Sequence, residues 1–318
     1  MLEKIAKTIL NSKHIFEKSE IRSIVQFINA NSYKSPRIFS DIGEDSAAVY
    51  DDDNYILLTT DRIKTSFIKK SPFGAGFSSI LVSVDDIYCC GGVPLASSII
   101  LSYSNQDIGQ KMMEGICEGS RKFQVPIIRG HTNIDSNYYE LSSTIIGEIQ
   151  KDHYISAKNA RIGDILIMVS DFDGKVGKAS DLYWDTVTFK TSEEILQKRK
   201  AMNIVAKTGL VNASKDISNG GIFGTIIQLA RYSNLGADIC VSDITIPRAL
   251  KDLDYTLSKY IKMYLTTSFI LTAPENNYEQ IIKIFKDSGM HANSIGSITK
   301  EKVLKINNGK DSLNVIKF

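Results

Sequence analysis

Four short acidic stretches carry the side chains best suited to chemistry in this sequence. They are DIGEDSAAV (41–49), TTD (59–61), DD (85–86) and KDIS (215–218). Carboxylates brought together from separate elements are a common way to hold Mg²⁺, which is then shared with substrate phosphates. Each stretch alone also has a structural explanation, because Asp and Ser are favoured at turns and helix starts whatever the function. The acids therefore indicate a metal and phosphate site only if the fold brings them together.

The aspartates in these stretches differ in what their surroundings predict. Asp45 precedes the small apolar run SAAV, so we expect it near a strand start and partly enclosed, although a plain turn explains it equally. Asp61 ends a predicted strand, and ligand sites of α/β proteins gather at strand ends. Asp86 lies on the side of its predicted helix opposite the apolar stripe through Val84. Periodicity therefore predicts a solvated charge at Asp86 and gives no support for it as a ligand.

Two glycine-containing stretches could hold an anion. In SKDISNGGIFG (214–224) the glycine pair would let the backbone approach a ligand, and the N–H groups of the following helix would favour negative charge. The alternative is that Ser218 or Asn219 is an ordinary N-cap. In RGHTN (129–133) we expect a tight connection after a strand, whose histidine binds phosphate, metal or nothing. Because the chain has four histidines without partner spacing, a metal role for this one is disfavoured.

Alternating helix and strand patterns must position these residues. The first half predicts strands at 54–60, 95–101, 125–129 and 140–149, and helices over 77–88 and 107–123. The second half predicts strands at 165–170, 237–241, 268–273, 293–299 and 302–307, and helices near 175–184, 192–208, 220–233, 248–264 and 275–288. We therefore predict an α/β (α+β) protein of two directly packed domains, residues 1–153 and 154–318.

Composition and charge exclude several classes of protein. A chain of 318 residues is long for one core, and 43% hydrophobic with 23% charged residues is typical of a soluble globular protein. The net charge of +2 gives no field for nucleic acid, and the run KRK (198–200) is expected on a solvated helix face. No apolar run approaches a membrane span, and the N-terminus is too short and too charged for a signal peptide. We expect a cytoplasmic protein with neither nucleic-acid nor membrane partners.

The cysteines give no sign of a metal site. The four of them form no CxxC pair and no His-bearing metal spacing. Cys89 and Cys90 are neighbours in an apolar segment, so we interpret them as buried thiols of a reducing compartment. A redox-active pair is the alternative.

The order of the motifs is more specific than any one of them. GEDSAAV, TTD, a helix closing in GG-x-P, GHT, R-x-GD and DIS-x-G follow one another between about residues 41 and 300. In this order they resemble the aminoimidazole-ribonucleotide (AIR) synthase-like superfamily, which includes thiamine-monophosphate kinase, selenophosphate synthetase and a hydrogenase-maturation protein. The resemblance implies two α/β domains, a homodimer built through the N-terminal halves, and ATP bound in a cleft with several Mg²⁺ ions.

Carried over residue by residue, the resemblance also implies a set of site residues. The implied metal-binding positions are Asp45, Thr60, Asp61, Asp86 and Asp216. Asp61, Asp86 and Asp216 are also the expected catalytic positions. The expected nucleotide-binding positions are Gly130, His131, Lys158, Ser218 and Gly220. Asp86 is thus expected as a ligand on the resemblance alone, against its helical periodicity.

Departures from the better-known branches of this superfamily reduce the number of functions that fit the sequence. Thiamine-monophosphate kinases carry Asp where His131 and Asn219 stand, and a GGEDYEL-like segment where this chain has LTTSFILT (265–272). The first 40 residues lack the reactive Cys or Sec of selenophosphate synthetase, and the tail NVIKF lacks the terminal Cys of the hydrogenase protein. What remains resembles AIR-synthase-related proteins and the α-ribazole kinase of corrinoid salvage.

The leading hypothesis is therefore an ATP- and Mg²⁺-dependent kinase for a small heterocyclic metabolite, with α-ribazole as the first choice. A second hypothesis is an AIR-synthase-like enzyme that activates an amide or carbonyl with ATP and releases phosphate. A third is an ATP-binding maturation factor without turnover. His131 and Asn219 in place of acids keep this third hypothesis open.

Overall fold

The computed structural model describes residues 1–15, 22–41, 43–134 and 137–318. The helices of these ranges, numbered in chain order, are α1 (Leu2–Leu10), α2 (Arg22–Asn31), α3 (Thr65–Lys70), α4 (Pro72–Cys89), α5 (Gln106–Phe123), α6 (Ser192–Thr208), α7 (Gly221–Tyr232), α8 (Arg248–Lys251), α9 (Leu257–Tyr260) and α10 (Tyr278–Asp287). The strands are β1 (Ile38–Ser40), β2 (Ala47–Asp51), β3 (Asn54–Arg62), β4 (Val93–Ser102), β5 (Ile127–Asn133), β6 (Glu140–Gln150), β7 (Ile165–Ser170), β8 (Lys175–Val176), β9 (Tyr183–Asp185), β10 (Ala213–Asp216), β11 (Gly236–Cys240), β12 (Tyr264–Leu265), β13 (Ser268–Ala273), β14 (His291–Thr299), β15 (Val303–Asn307) and β16 (Ser312–Lys317).

The first half of the chain forms a six-stranded sheet with helices on one face. Its strand order is β1-β2-β3-β6-β4-β5, and its neighbours are antiparallel except for the parallel pair β4 and β5. Helix α4 contacts β3 and β6, and α5 packs on α4. Alternate residues of β3 and β6, such as Leu57 and Ile145, are buried in one cluster with Ile80 and Val84 of α4. This period-two burial is what a sheet covered on one face requires.

Glycine lets α4 and α5 approach each other closely. A Cβ built on Gly115 of α5 would lie 2.0 Å from the carbonyl oxygen of Phe73 and 2.8 Å from the backbone nitrogen of Phe77. A Cβ built on Gly76 of α4 would lie 2.1 Å from the carbonyl oxygen of Met112. Since the blocking atoms are backbone, neither contact can be relieved by a change of rotamer.

Gly115→Ala is therefore expected to destabilise the protein by about 1–3 kcal/mol, because the two helices must separate. Gly224→Ala in α7 is the matched control: its Cβ would meet the Ile15 side chain at an ordinary 3.5 Å, and alanine gains up to about 1 kcal/mol of helix propensity over glycine. Urea unfolding should give a lower midpoint for the first variant and an equal or higher one for the second. Equal midpoints would contradict the close packing of α4 on α5.

The second half forms a seven-stranded sheet whose two faces are both covered. Its strand order is β10-β13-β7-β14-β11-β15-β16, with one parallel pair, β11 and β15. On one face Val169 and Phe269 share a core with α4 of the first half and with α6 and α10. On the other face Met168 and Ile270 pack in a core that contains α7. The mixed α/β class and the direct packing of the two halves are thus confirmed.

Helix α1 packs on the second sheet although it begins the chain. It contacts β15, β16 and α9. Its buried Ile5 and Ile9 belong to the same core as Phe223 of α7 and Tyr260 of α9. The boundary between residues 153 and 154 remains a prediction. Within the described ranges, no helix combines the length and apolar character needed to cross a lipid bilayer.

Two predicted helices are wrong. The segment near 175–184 instead contains β8 and the start of β9, which form a small sheet with β12. The Trp184 ring of β9 packs so closely on the chain just before β8 that a Cβ at Gly174 would lie 2.5 Å from it. The segment near 248–264 is divided into α8, α9 and β12, because Asp254 adopts a left-handed φ of 58° that ends the helical path. The glycine-containing stretch 129–133 lies inside β5 rather than in a connection after it.

Candidate metal and nucleotide site

Three aspartates from separate elements meet between the two halves of the chain. Asp45 lies just before β2, Asp86 lies in the last turns of α4, and Asp216 ends β10. Each offers a carboxylate oxygen, and these oxygens all lie within 4.8 Å of one another. Three of the acidic stretches seen in the sequence are therefore brought together. We call Asp45, Asp86 and Asp216 the carboxylate cluster.

Asp61 joins the edge of this cluster through β3 and α4. Its Oδ2 accepts a hydrogen bond of 2.8 Å from the Ser83 hydroxyl of α4. Two residues earlier on β3, the Thr59 hydroxyl donates to Oδ2 of Asp86 at 2.6 Å. Thr59 and Asp61 face α4 together because side chains two apart on a strand share a face. All four predicted acidic stretches therefore contribute a side chain to one region.

The Thr60 side chain is not brought to the cluster. It lies on the other face of β3, where its hydroxyl is 2.9 Å from that of Thr144 on β6. The hydroxyl that reaches Asp86 belongs to Thr59, which is buried. Strand alternation in the sequence could have shown that Thr59, and not Thr60, points towards the acids, since Thr59 shares the face of Asp61 and Thr60 does not.

The crowding of carboxylates makes ionisation of Asp86 unfavourable. Burial raises the pKa of Asp86 well above its usual range, the charges of Asp61 and Asp216 raise it further, and the hydrogen bond from Thr59 opposes them. A bound cation would relieve this repulsion, and a set of oxygen ligands is the chemistry that Mg²⁺ prefers. The donor set therefore fits a divalent ion.

The helical periodicity was misleading for Asp86. Helix α4 is covered by its own sheet on one side and by the second half of the chain on another, so its polar side does not face bulk solvent. Asp86 is only partly exposed, and the adjacent Asp85 is buried. The prediction of a solvated charge at Asp86 is wrong, whereas its proximity to the other acids agrees with the resemblance.

Asp85 forms an ion pair with Arg199 of α6 that joins the two halves. Arg199 Nε donates to Asp85 Oδ1 at 2.8 Å, and the two side chains are 0% and 4% exposed. The guanidinium also lies 4.9 Å from the centre of the Phe123 ring. Burial and, to a smaller extent, the charge of Asp216 raise the pKa of Asp85 and Arg199 lowers it, and the net result is a pKa of about 6. The prediction that KRK (198–200) forms a solvated face is therefore wrong at Arg199 and also at Lys198, whose side chain is 13% exposed and paired with Asp171.

Lys215 was not anticipated as part of the site. Its ammonium group donates to Oδ1 of Asp45, and the two side chains are 7% and 4% exposed. The other oxygen of Asp45 accepts the backbone N–H of Asp216 at 3.2 Å. This N–H is available because β10 is an edge strand, so one side of its backbone has no neighbouring strand in the sheet. No local pattern in the sequence could have found this contact, since its partners are 170 positions apart.

The predicted nucleotide-binding residues fall into two groups. Ser218 and Gly220 lie two and four positions after Asp216, and Gly220 is the N-cap of α7. Lys158 Nζ lies 3.7 Å from Oε1 of Glu44, the neighbour of Asp45. Gly130 and His131 are exposed on β5, one of the two edge strands of the first sheet. The first group adjoins the cluster, whereas the second lies at a sheet edge.

Cys89 and Cys90 are both buried, at 0% and 2% exposure. Burial raises the pKa of both thiols, so thiolate formation is disfavoured. The Cys89 thiol lies 3.7 Å from the Ser214 hydroxyl on β10. This placement agrees with the interpretation of the pair as buried thiols.

The fold and the cluster together define a two-part α/β protein with a group of buried or half-buried carboxylates between its halves. The family model described as "AIR synthase related protein, N-terminal domain" matches residues 43–149, and that for the C-terminal domain matches residues 161–307. An uncharacterised protein of Methanocaldococcus jannaschii is 33% identical over 320 residues, which cover 100% of this chain and 97% of its own. The chain therefore belongs to the AIR synthase related family, and the predicted resemblance is confirmed.

Solved structures show the same fold. PurL of Thermotoga maritima in complex with ATP has a TM-score of 0.72 at 16% identity, over 84% of this chain and 45% of its own. AaThiL in complex with AMPPCP and TMP has a TM-score of 0.68 at 17% identity, over 94% of this chain and 97% of its own. At these identities the similarity shows the fold alone.

Proposed function

We propose that the protein is an ATP- and Mg²⁺-dependent kinase that transfers the γ-phosphoryl group to a hydroxyl of a small heterocyclic metabolite. The carboxylate cluster carries this proposal, because three acids from both halves place their oxygens within 4.8 Å. Family membership supports ATP as the donor, since similar folds were solved with ATP and with AMPPCP. We further propose a homodimer and a cytoplasmic location, as the resemblance and the composition predict.

Each residue of the site has a defined part in this proposal. Asp45, Asp86 and Asp216 would hold Mg²⁺, with Asp61 beside them. When bound, Mg²⁺ would offset the negative charge of the phosphates, which is the main requirement of phosphoryl transfer. Ser83 and Thr59 orient the carboxylates of Asp61 and Asp86 through the hydrogen bonds they donate.

The nucleotide would be held by the residues that adjoin the cluster. The N–H groups at the start of α7 and the Ser218 hydroxyl are suited to phosphate oxygens. Lys158, whose ammonium group lies next to the Glu44 carboxylate, offers a positive charge for the phosphates. Gly130 and His131 lie on β5 apart from this group, and we propose them as nucleotide contacts from the resemblance alone. We propose α-ribazole as the first acceptor to test, because His131 and Asn219 depart from the thiamine-phosphate branch.

The experiment is a product analysis by ³¹P NMR with Mg²⁺-ATP and a panel of nucleosides that includes α-ribazole. ADP together with a phosphorylated nucleoside supports the kinase. Inorganic phosphate together with a new amide or amidine product would contradict the kinase and favour an AIR-synthase-like activity. Tight binding of ATP that stays intact with every acceptor would contradict the kinase and favour an ATP-binding maturation factor. The Asp61→Asn variant is the negative control. This substitution should lower turnover by several orders of magnitude while leaving the fold intact.

A further inference from the structure

Lys215 places a positive charge inside the group of acids that would hold the metal. It lies on the four-residue strand β10, all of whose residues are buried, and its side chain is 7% exposed. An ammonium group that deep is tolerated only when it is paired. The ammonium donates to Oδ1 of Asp45, a member of the carboxylate cluster.

The two oxygens of Asp45 are thereby both engaged by β10. Oδ1 accepts from the Lys215 ammonium and Oδ2 accepts the N–H of Asp216 at 3.2 Å. A carboxylate has about four acceptor positions, so these two donors leave Asp45 about one position on each oxygen. One ion can use these positions together with Asp86 and Asp216, whereas an ion on the side of Oδ1 that the ammonium occupies would have to displace Lys215.

The charges lead to the same result. If the three cluster acids and Asp61 are all ionised, Lys215 reduces their charge from four negative units to three. One divalent ion leaves one negative unit, whereas a second would reverse the sign of a largely enclosed site. Asp85 does not alter this balance, because it is paired with Arg199 at 2.8 Å.

We propose that the Lys215 ammonium is a resident cation that takes the place of a second metal ion, so that the cluster binds one divalent ion in the absence of nucleotide. This inference rests on the proposed function, because it assumes that the carboxylate cluster is a metal site. Lys215 is a positioning residue in this role: it holds Asp45 against β10 and leaves the remaining oxygens to a single ion.

The test counts Mn²⁺ ions bound to the full chain without nucleotide, by electron paramagnetic resonance titration. Wild-type protein should bind one Mn²⁺, and Asp86→Asn should lose it, which locates the ion in the cluster. Two or more ions lost through Asp86→Asn would overturn the inference. This count needs no Lys215 variant and so decides the question even if that variant does not fold.

Lys215→Met should then bind a second Mn²⁺ or bind the first at least about tenfold more tightly, because a positive charge has left the site. Lys215→Arg, which keeps the charge, should bind one ion as wild type does. Lys305→Met is the matched control, since it removes an equal charge from the Lys305–Asp238 ion pair on another part of the second sheet. A purely structural role for Lys215 would lower the melting temperature and leave Mn²⁺ number and affinity unchanged, and that result would overturn the inference.

The proposed kinase activity can fail separately. Intact ATP in the ³¹P experiment alongside one Mn²⁺ per chain would overturn the kinase and leave the role of Lys215 standing. Absence of Mn²⁺ binding from wild-type protein would overturn the metal site and this inference together.

Discussion

Asp86→Asn is expected to lower Mg²⁺-dependent ATP turnover by several orders of magnitude while raising the stability of the metal-free protein. The amide keeps the shape of the side chain but removes a charge that would hold Mg²⁺. Without metal, the same charge is unfavourable, since burial and the carboxylates of Asp61 and Asp216 raise the pKa of Asp86. One substitution should thus move activity and stability in opposite directions.

The sign of the stability effect follows from proton linkage. An acid whose pKa is raised on folding favours the folded state while it is protonated, and that contribution is lost as pH rises through the folded-state pKa. In EDTA at neutral or alkaline pH, Asp86→Asn should therefore melt at a higher temperature than wild type. The difference should shrink as pH falls towards the usual range of Asp, because the wild-type carboxyl then also carries no charge.

Asp311→Asn is a suitable control, because Asp311 is an exposed residue in the turn between β15 and β16. It should change neither turnover nor melting temperature. Thermal melts in EDTA and in Mg²⁺, with steady-state turnover, provide all the measurements. An Asp86→Asn variant that retains near-wild-type turnover would remove the basis of the proposed metal site. One that melts lower in EDTA would contradict the electrostatic account of the cluster.

Arg199→Met is expected to cost about 3–5 kcal/mol of unfolding free energy, because it leaves the buried Asp85 carboxylate without its partner. The ion pair spans α4 and α6, so the loss would act where the two halves of the chain meet. Lys200→Met is the matched control in the same run of basic residues. Lys200 is exposed, and its substitution should stay within about 0.5 kcal/mol of wild type.

The double variant Asp85→Leu/Arg199→Met separates the pair from its surroundings. Removing both charges leaves no unpaired ion, so the double variant should be less destabilised than Arg199→Met alone. Urea unfolding midpoints and slopes of the four proteins give the comparison. Equal losses for Arg199→Met and Lys200→Met would show that the ion pair contributes nothing beyond a surface contact.

The local patterns predicted most of the elements that carry the site. Strand β3 and helices α5 and α6 lie close to their predicted ranges, because each has a burial pattern that repeats along its own axis. Strands β7 and β13 do so because each is a short continuous apolar run that is buried on both faces. The order of the acidic and glycine motifs identified the family, which the two domain models confirm. Asp45 and Asp61 were candidates because of their positions near strand ends, and the structure places both beside Asp86 and Asp216.

Other features of the site depended on contacts between distant parts of the chain. Periodicity describes which side of a helix meets its own sheet, and it does not report what covers the other side. Asp86 and Arg199 were both assigned to solvent for this reason, although the second half covers α4 and the first half covers Arg199. The strand alternation that distinguishes Thr59 from Thr60 was present in the sequence, but its meaning depends on which face α4 occupies.

The sequence alone determined the fold class, the family and the acidic residues that could hold a metal, because these properties follow from local patterns and from motif order. Only the tertiary structure decided which side chains meet. The pairing of Lys215 with Asp45 joins residues 170 positions apart, and that of Arg199 with Asp85 joins residues 114 positions apart. Such contacts depend on how the two halves of the chain pack against each other, and no short-range period in a single chain records that arrangement.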